Sequence, residues 1–357
     1  MEAEFESGSE KIRVGITHGD INGIGYEIII KALSDPRMLE LFTPVVYGSS
    51  KVASYHRKTV EAGEFNFNVI KSGEPLSDKK TNIINIYNQE IKIELGQSSG
   101  IAGELSYLAL EAAIDDIRNN NIDVLVTAPI NKKNIKSDKF NFPGHTEYLA
   151  DKFGVKEPLM LMVSRNVRIG VITGHIPIKD ISKSINTELI LGKTRILNQS
   201  LIKDFGIRRP KIAILGLNPH AGDKGVIGME EEEIIIPAIK QAFDEGILCY
   251  GPYPADGFFG AASFNQFDGI LAMYHDQGLI PFKTLSFKSG VNFTAGLPIV
   301  RTSPAHGTAY ELAGKNQSSD DAFRESIYLA LDIFKNRKMH EELIKNPLYP
   351  SHLDDEK

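Results

Sequence analysis

Residues 12–33 read IRVGITHGDINGIGYEIIIKAL. The opening IRVGIT is a short apolar run typical of a buried strand, HGDINGIG is a glycine-rich turn, and Tyr26 to Leu33 continues as a helix. The order is strand, loop, helix. It returns at residues 43–49, TPVVYGS, which precede a polar helical stretch from Lys51. It returns again at residues 105–120, LSYLALEAAIDDIRNN, an amphipathic helix ahead of the strand IDVLVTAPI at 122–130. Strands alternating with helices imply an α/β fold with a mostly parallel sheet covered by helices.

The middle of the chain continues in the same way. Residues 158–164, PLMLMVS, and 167–173, VRIGVIT, read as strands, followed by a helix from about Thr187 to Phe205, the strand KIAILGL and an acidic-start helix at 230–243, EEEEIIIPAIKQAF. Glutamates in a first helical turn complement the helix dipole. Asp268 to Tyr274 is a further strand, residues 291–303, VNFTAGLPIVRTS, give short strands or loops, and Asp320 to Asn336 reads as a closing helix. No internal repeat or low-complexity segment appears.

At 357 residues the chain exceeds what one core usually organises, so two lobes are expected with a cleft between them. The expected division is a flexible acidic tail over 1–11, a first lobe of 12–131 plus 285–357, and a second lobe inserted at 132–284. A formal net charge of −6 argues against a nucleic-acid surface. The acidic start MEAEFESGSEK lacks the basic and apolar regions of an export signal. No apolar run approaches the roughly 20 residues of a membrane helix. The lone Cys249 rules out an intrachain disulfide framework, fits a reducing compartment and reads as ordinary packing. A soluble cytoplasmic protein with a small-molecule partner, and neither nucleic acid nor membrane, is expected.

Three apolar strands stop at a histidine inside a Gly/Pro turn: RIGVITGHIP at His175, KIAILGLNPHAG at His220 and GILAMYHDQG at His275. In open α/β sheets the ligand crevice lies beyond the carboxyl ends of the strands, so these imidazoles can converge there. Three neutral imidazoles suit a borderline divalent ion and leave positions open for a substrate. The structural alternative for each is a histidine that simply caps its turn.

In residues 142–150, FPGHTEYLA, His145 and Thr146 stand at a helix start, where free N–H groups attract an anion such as phosphate, or where Thr146 caps the helix. Lys283, Asn292 and Arg301 follow His275 in stretches too rich in Gly and Pro for regular helix, and together would make a basic, polar pocket wall. The glycines at 19, 23 and 25 do not fit G-x-G-x-x-G, so the first turn is not a dinucleotide fingerprint, although Asp20 and Asn22 would face the crevice. His306, Gly307 and Thr308, in SPAHGTAYELAGK, are the better cofactor candidate.

The set GHTE, GHIP, LNPHAGDKG, YHDQGLIPFK, GVNFTAGLP and RTSPAHGTAYELAGK, in that order, closely resembles the 4-hydroxythreonine-4-phosphate dehydrogenase family of pyridoxal phosphate biosynthesis, from the first strand to about residue 335. The resemblance implies the two-lobed isocitrate/isopropylmalate dehydrogenase-like fold. It makes His175, His220 and His275 ligands of a divalent metal (Zn, Co, Mg or Mn) in a site built from both chains of a homodimer. It makes His145, Thr146, Lys283, Asn292 and Arg301 substrate-binding residues. It implies NAD or NADP resting partly on His306, Gly307 and Thr308. Relatives more often carry Pro-Gly-Glu/Asp-Pro in the first turn, which leaves His18 and Asp20 without an assigned role.

The activity implied is metal-dependent oxidation of the C3 hydroxyl of 4-phosphohydroxy-L-threonine to 2-amino-3-oxo-4-phosphooxybutanoate, which decarboxylates to 3-amino-2-oxopropyl phosphate. The neighbouring reading is a related dehydrogenase acting on a phosphorylated four-carbon sugar acid such as 4-phosphothreonate or erythronate, or on an aromatic dihydrodiol. A metal-dependent hydrolase or aldolase would need only the three histidines, and a binding protein would form no product. The general base stays open among Lys283, a histidine outside the three, Asp256 and a metal-bound hydroxide.

Overall fold

The structure, a computed structural model, describes residues 11–62, 64–286 and 288–345. Residues 1–10 of the expected tail lie outside the described residues. One sheet is built from β1 Arg13–Thr17, β2 Thr43–Gly48, β3 Asn68–Ile70, β4 Asn82–Asn85, β5 Val124–Thr127, β6 Leu159–Val163, β7 Arg168–Thr173, β8 Lys211–Leu215, β9 Leu248–Tyr253, β10 Gly269–Tyr274, β11 Val291–Ala295 and β12 Arg301–Pro304. The longer helices around it are α1 Gly25–Leu33, α2 Ser50–Thr59, α3 Gly100–Arg118, α4 His145–Lys152, α5 Thr187–Lys203, α6 Ile236–Asp244, α7 His275–Leu285 and α8 Asp321–Lys345.

The strand order is β3-β4-β2-β1-β5-β12-β11-β6-β7-β10-β8-β9. From β3 to β12 every pairing is parallel. β11 runs antiparallel to both β12 and β6, and β6 to β7, after which β7, β10, β8 and β9 are parallel again. Two parallel half-sheets of opposite sense therefore meet at β11 and β6. The reason is connection length. β6 and β7 are joined by a tight turn closed by the Ser164 N–H on the Val167 carbonyl, far too short for the crossover a parallel pair needs. Strands such as β2 and β5 are buried along their whole length, as expected where helices cover both faces.

Three local expectations change. α7 runs through Pro281, so Lys283 stands on a helix and not on an irregular stretch. The glutamate-rich start of the next helix is a π turn, Glu231–Ile235, ahead of α6. The closing helix continues to Lys345.

The first turn is filled by the protein's own backbone. A Cβ at Gly19 would lie 2.2 Å from the Pro129 carbonyl oxygen, and one at Gly23 would lie 2.7 Å from that of Thr308. The glycines thus serve close approach of neighbouring loops. Asp20 and Asn22 are buried rather than crevice-facing. Asp20 accepts from the Tyr310 hydroxyl and from Asn134 Nδ2, each at 2.7 Å, and from the Asn22 N–H at 2.9 Å. It ties the first turn to the loop after β5 and to the loop after β12.

Beneath that turn, His18 and His56 stack on the two faces of Tyr26, at 5.0 and 5.2 Å between ring centroids. Burial pushes both imidazoles down to about 4, against backbone hydrogen bonds to Gly19 and Ile21 that oppose the shift. Between pH 6.5 and 4 the unfolded chain therefore binds more protons than the folded one. Stability is full above pH 6.5 and falls on acidification toward 4, by roughly 3 kcal/mol per histidine. Urea unfolding at pH 7.5 and 5 should show this loss, and imidazole resonances of His18 and His56 titrating near 6.5 would contradict it.

Candidate active site

A cavity of about 240 Å³ opens over one face of the central strands. Side chains alternate along a strand, so Met160 and Met162 on β6, Asn292 on β11, and Arg301 and Ser303 on β12 line the same face. The register places Asn292 between Met162 and Ser303. The walls are residues 128–130 after β5, Gly144 to Glu147 at the start of α4, His175 after β7, and residues 304–307. His275, Leu279 and Lys283, spaced four apart on α7, present one helical face to it. The site thus lies across the meeting of the half-sheets, with strand ends as walls.

Of the residues singled out in the sequence, His145, Thr146, His175, His275, Lys283, Asn292, Arg301, His306 and Gly307 line this cavity. Thr308 and His220 do not. The Thr308 carbonyl accepts the Ile24 N–H at 3.1 Å, which fixes the loop. Asp256, a candidate base, is exposed on the short helix Ala255–Gly260 and outside the lining.

Arg301 is only 2% exposed, yet among the described residues its guanidinium bonds to hydroxyls: Thr127 Oγ1 at 2.6 and 3.2 Å and Thr294 Oγ1 at 3.3 Å. Among the described residues no carboxylate lies in ion-pair range of it. Burial lowers its pKa to about 10, with the Glu147 charge acting the other way. A desolvated cation without a counter-ion is an anion site in waiting. Beside it, burial first and then the Arg301 and Lys132 charges hold His145 well below the ordinary imidazole value, so it is neutral.

α4 begins with Gly144 as its N-cap and no capping side chain. Its first main-chain bond is Tyr148 N–H to the Gly144 carbonyl, and the N–H groups of His145 and Thr146 have no main-chain acceptor among the described residues. Thr146 is therefore inside the helix and is no cap; its hydroxyl lies 3.4 Å from that of Thr294. Two further polar atoms at the cavity, Asn292 Oδ1 and His306 Nε2, are buried without a hydrogen-bond partner among the described residues. His306 directs Nδ1 at the Gly307 carbonyl, 3.0 Å away, which leaves Nε2 as an acceptor. Burial lowers its pKa against that bond.

His175 and His275 meet, with ring centroids 5.5 Å apart. His275 Nδ1 lies 2.7 Å from Asp276 Oδ1, and His175 Nδ1 lies 3.8 Å from Glu147 Oε1. A carboxylate at Nδ1 keeps the proton there and leaves Nε2 for a ligand, the usual support of metal-binding histidines. Burial opposes the charge on Glu147, but His175, its own N–H and Lys132 hold its pKa below the usual value. The pair fits part of a divalent-cation site. Among the described residues no group of three His, Cys, Asp or Glu is placed to hold a metal.

His220 sits on a left-handed run in which His220, Ala221, Asp223 and Lys224 all have φ between 44° and 55°. Each such non-glycine residue costs on the order of 1–2 kcal/mol. Buried Glu231 holds the run: Oε1 accepts from the N–H groups of Leu217 and Asn218 at 2.7 Å, and Oε2 from Asn218 Nδ2 at 2.9 Å. Strain so firmly held clusters at functional sites.

Sequence reading missed Lys132, which enters it only as the first residue of the second lobe, and gave Glu147 no role of its own. Lys132 Nζ donates to His175 Nε2 at 2.9 Å.

The chain matches the family described as Pyridoxal phosphate biosynthetic protein PdxA over residues 40–330. This chain belongs to the PdxA family. It is 52% identical over 339 residues to a 4-hydroxythreonine-4-phosphate dehydrogenase of Bacteroides thetaiotaomicron, covering 95% of this chain and 93% of that one. It is 37% identical to a putative D-threonate 4-phosphate dehydrogenase of Oceanobacillus iheyensis, covering 91% and 98%. The crystal structure of 4-hydroxythreonine-4-phosphate dehydrogenase from Klebsiella pneumoniae aligns with a TM-score of 0.77 at 30% identity over 92% of this chain and 99% of that one. Isocitrate dehydrogenase from Methylococcus capsulatus shares the fold alone, at TM-score 0.50 and 12% identity over 93% and 88%. The two-lobed, isocitrate dehydrogenase-like α/β fold of the PdxA family is thus the fold of this chain.

Arg301→Met separates binding from stability. Removing an uncompensated buried charge should raise unfolding free energy by about 1–2 kcal/mol while weakening a phosphorylated ligand about 100-fold. Denaturant melts and calorimetry check both, and a destabilised variant that keeps its affinity would contradict the assignment.

Proposed function

We propose that this protein is a metal-dependent, NAD(P)-linked 4-hydroxythreonine-4-phosphate dehydrogenase of the cytoplasm. It would oxidise 4-phosphohydroxy-L-threonine at C3 to 2-amino-3-oxo-4-phosphooxybutanoate, which loses carbon dioxide to give 3-amino-2-oxopropyl phosphate. The observation that carries this reading is the cavity itself. It joins a buried guanidinium that has no counter-ion among the described residues to a pair of carboxylate-backed imidazoles in a chain of the PdxA family. No described helix is long and apolar enough to cross a membrane.

Arg301, Lys283 and the free N–H groups of α4 bind the acidic groups of the substrate, and Thr146 and Asn292 orient it. His145, kept neutral, can accept or donate one hydrogen bond without adding charge. Fixing the reacting carbon in this way contributes several kcal/mol to the rate. The main-chain loop of His306, Gly307 and Thr308 receives the dinucleotide, with His306 Nε2 as an acceptor facing the cavity. A divalent ion (Zn, Co, Mg or Mn) on His175, His275 and His220 would acidify the hydroxyl and polarise the ketone formed, and NAD or NADP would take the hydride.

His220 completes this set from a second copy of the chain, in a homodimer with its active sites at the subunit interface. Two features support that arrangement. Val226, Ile227 and Met229 beside the His220 loop are exposed, as are Ile176 and Ile178 beside His175. Exposed apolar side chains grouped around the ligands are what an isologous contact would cover. Mixing His175→Ala with His220→Ala, each inactive alone, should then regain about a quarter of wild-type activity, since half the heterodimer sites carry neither lesion. No recovery would place all three ligands in one chain.

A second reading, a phosphorylated four-carbon sugar acid as substrate, is favoured by the name of the Oceanobacillus relative. NAD(P)H formation separates the two. The proposal predicts turnover of 4-phosphohydroxy-L-threonine that a chelator abolishes and a divalent ion restores, with 4-phosphothreonate at least about tenfold poorer by kcat/KM, or ~1.4 kcal/mol. Full activity in metal-free protein would remove the ion, and preference for the sugar acid would select the second reading.

A further inference from the structure

Lys132 stands where the two halves of the molecule face each other. Its backbone is fixed. Asn131 Oδ1 accepts from the N–H groups of Lys133 and Asn134, Asn131 Nδ2 donates to the Tyr310 hydroxyl at 2.9 Å, and Asn134 Nδ2 donates to Asp20. The side chain reaches across the cavity to His175 Nε2, 2.9 Å away. An ammonium has no lone pair, so the ring nitrogen is the acceptor. Lys132 therefore occupies the one electron pair that His175 has to offer a cation, and the two cannot share it.

We propose that Lys132 is a further substrate-binding residue: its ammonium, which donates to His175 Nε2, moves to an acidic group of the substrate when a divalent cation takes that nitrogen. The inference rests on the dehydrogenase reading above. Glu147 is the one carboxylate among the lining residues, against the three cations Lys132, Lys283 and Arg301. Three cations against one carboxylate leave the lining net positive even before a divalent ion binds, which suits a substrate that carries acidic groups. Lys132 is exposed, so its ammonium can leave His175 and turn to an anionic partner without disturbing the core. A cation entering beside it adds repulsion on the His175 side, which drives the same move.

The shared chemistry is an oxyanion, and two analogues tell its sources apart: one without the carboxylate and one without the phosphate. Lys132→Met and Lys132→Arg are compared with the wild type by Mn²⁺ titration without substrate, then by calorimetric binding of substrate and both analogues with Mn²⁺ present. Lys132→Met should bind Mn²⁺ about fivefold or more tightly than wild type, since nothing competes for His175, and Lys132→Arg should not. It should also become indifferent to loss of one acidic group, the one Lys132 holds, while the wild type weakens at least about tenfold on losing either. Unchanged Mn²⁺ affinity in Lys132→Met, or the same penalty as wild type for both analogues, overturns the proposal. A wild type that binds Mn²⁺ but not the phosphorylated substrate would instead strike the dehydrogenase reading on which it rests.

Discussion

A guanidinium buried between two threonine hydroxyls is the constraint from which the rest of the site follows. Arg301 is held on β12 by pairing with β5 on one side and β11 on the other, at the meeting of two half-sheets of opposite sense. Leaving such a charge without a carboxylate costs stability, and a fold tolerates that where the charge has work to do on a ligand. Burial, with the Arg301 and Lys132 charges added, keeps His145 neutral beside it, and His175 and Lys132 hold the Glu147 pKa below its usual value. The other unmet groups, Asn292 Oδ1, His306 Nε2 and the first N–H groups of α4, surround the same space.

What keeps those walls together is largely Asp20. Buried in the first turn, its carboxylate receives one bond from the loop that carries Lys132 and another from the loop that follows His306. The glycines of that turn let the two loops approach its backbone. A segment that resembles a nucleotide fingerprint at first sight is thus an internal fastening. It fixes one side of the cavity, while β7, β10 and α7 bring His175, His275 and Lys283 to the other.

Much of this was legible in the chain because it depends on local pattern. Apolar runs ending in turns marked β1, β5, β7, β8 and β10, and the recurring helix pattern implied a mostly parallel sheet. The histidines, GHTE and the residues after His275 could be singled out because polar groups at strand ends and helix starts are exposed to a crevice. The unreadable part is non-local or conformational. Pro281 reads as a helix breaker, yet α7 continues through it to Leu285. The left-handed run at His220 depends on Glu231, whose role shows only in space. Lys132 lies in a loop whose composition says only that it is polar, and its contact with His175 spans 43 residues. The separation of His220 from the other two imidazoles is invisible to any rule about strand ends.

A complex with Mn²⁺ and 4-phosphohydroxy-L-threonine, solved with anomalous data, tests the account most directly. The ion should appear on His175 and His275, with an acidic group of the substrate on Arg301 and the start of α4. An ion bound by carboxylates elsewhere, or a ligand that leaves Arg301 facing only Thr127 and Thr294, would contradict it.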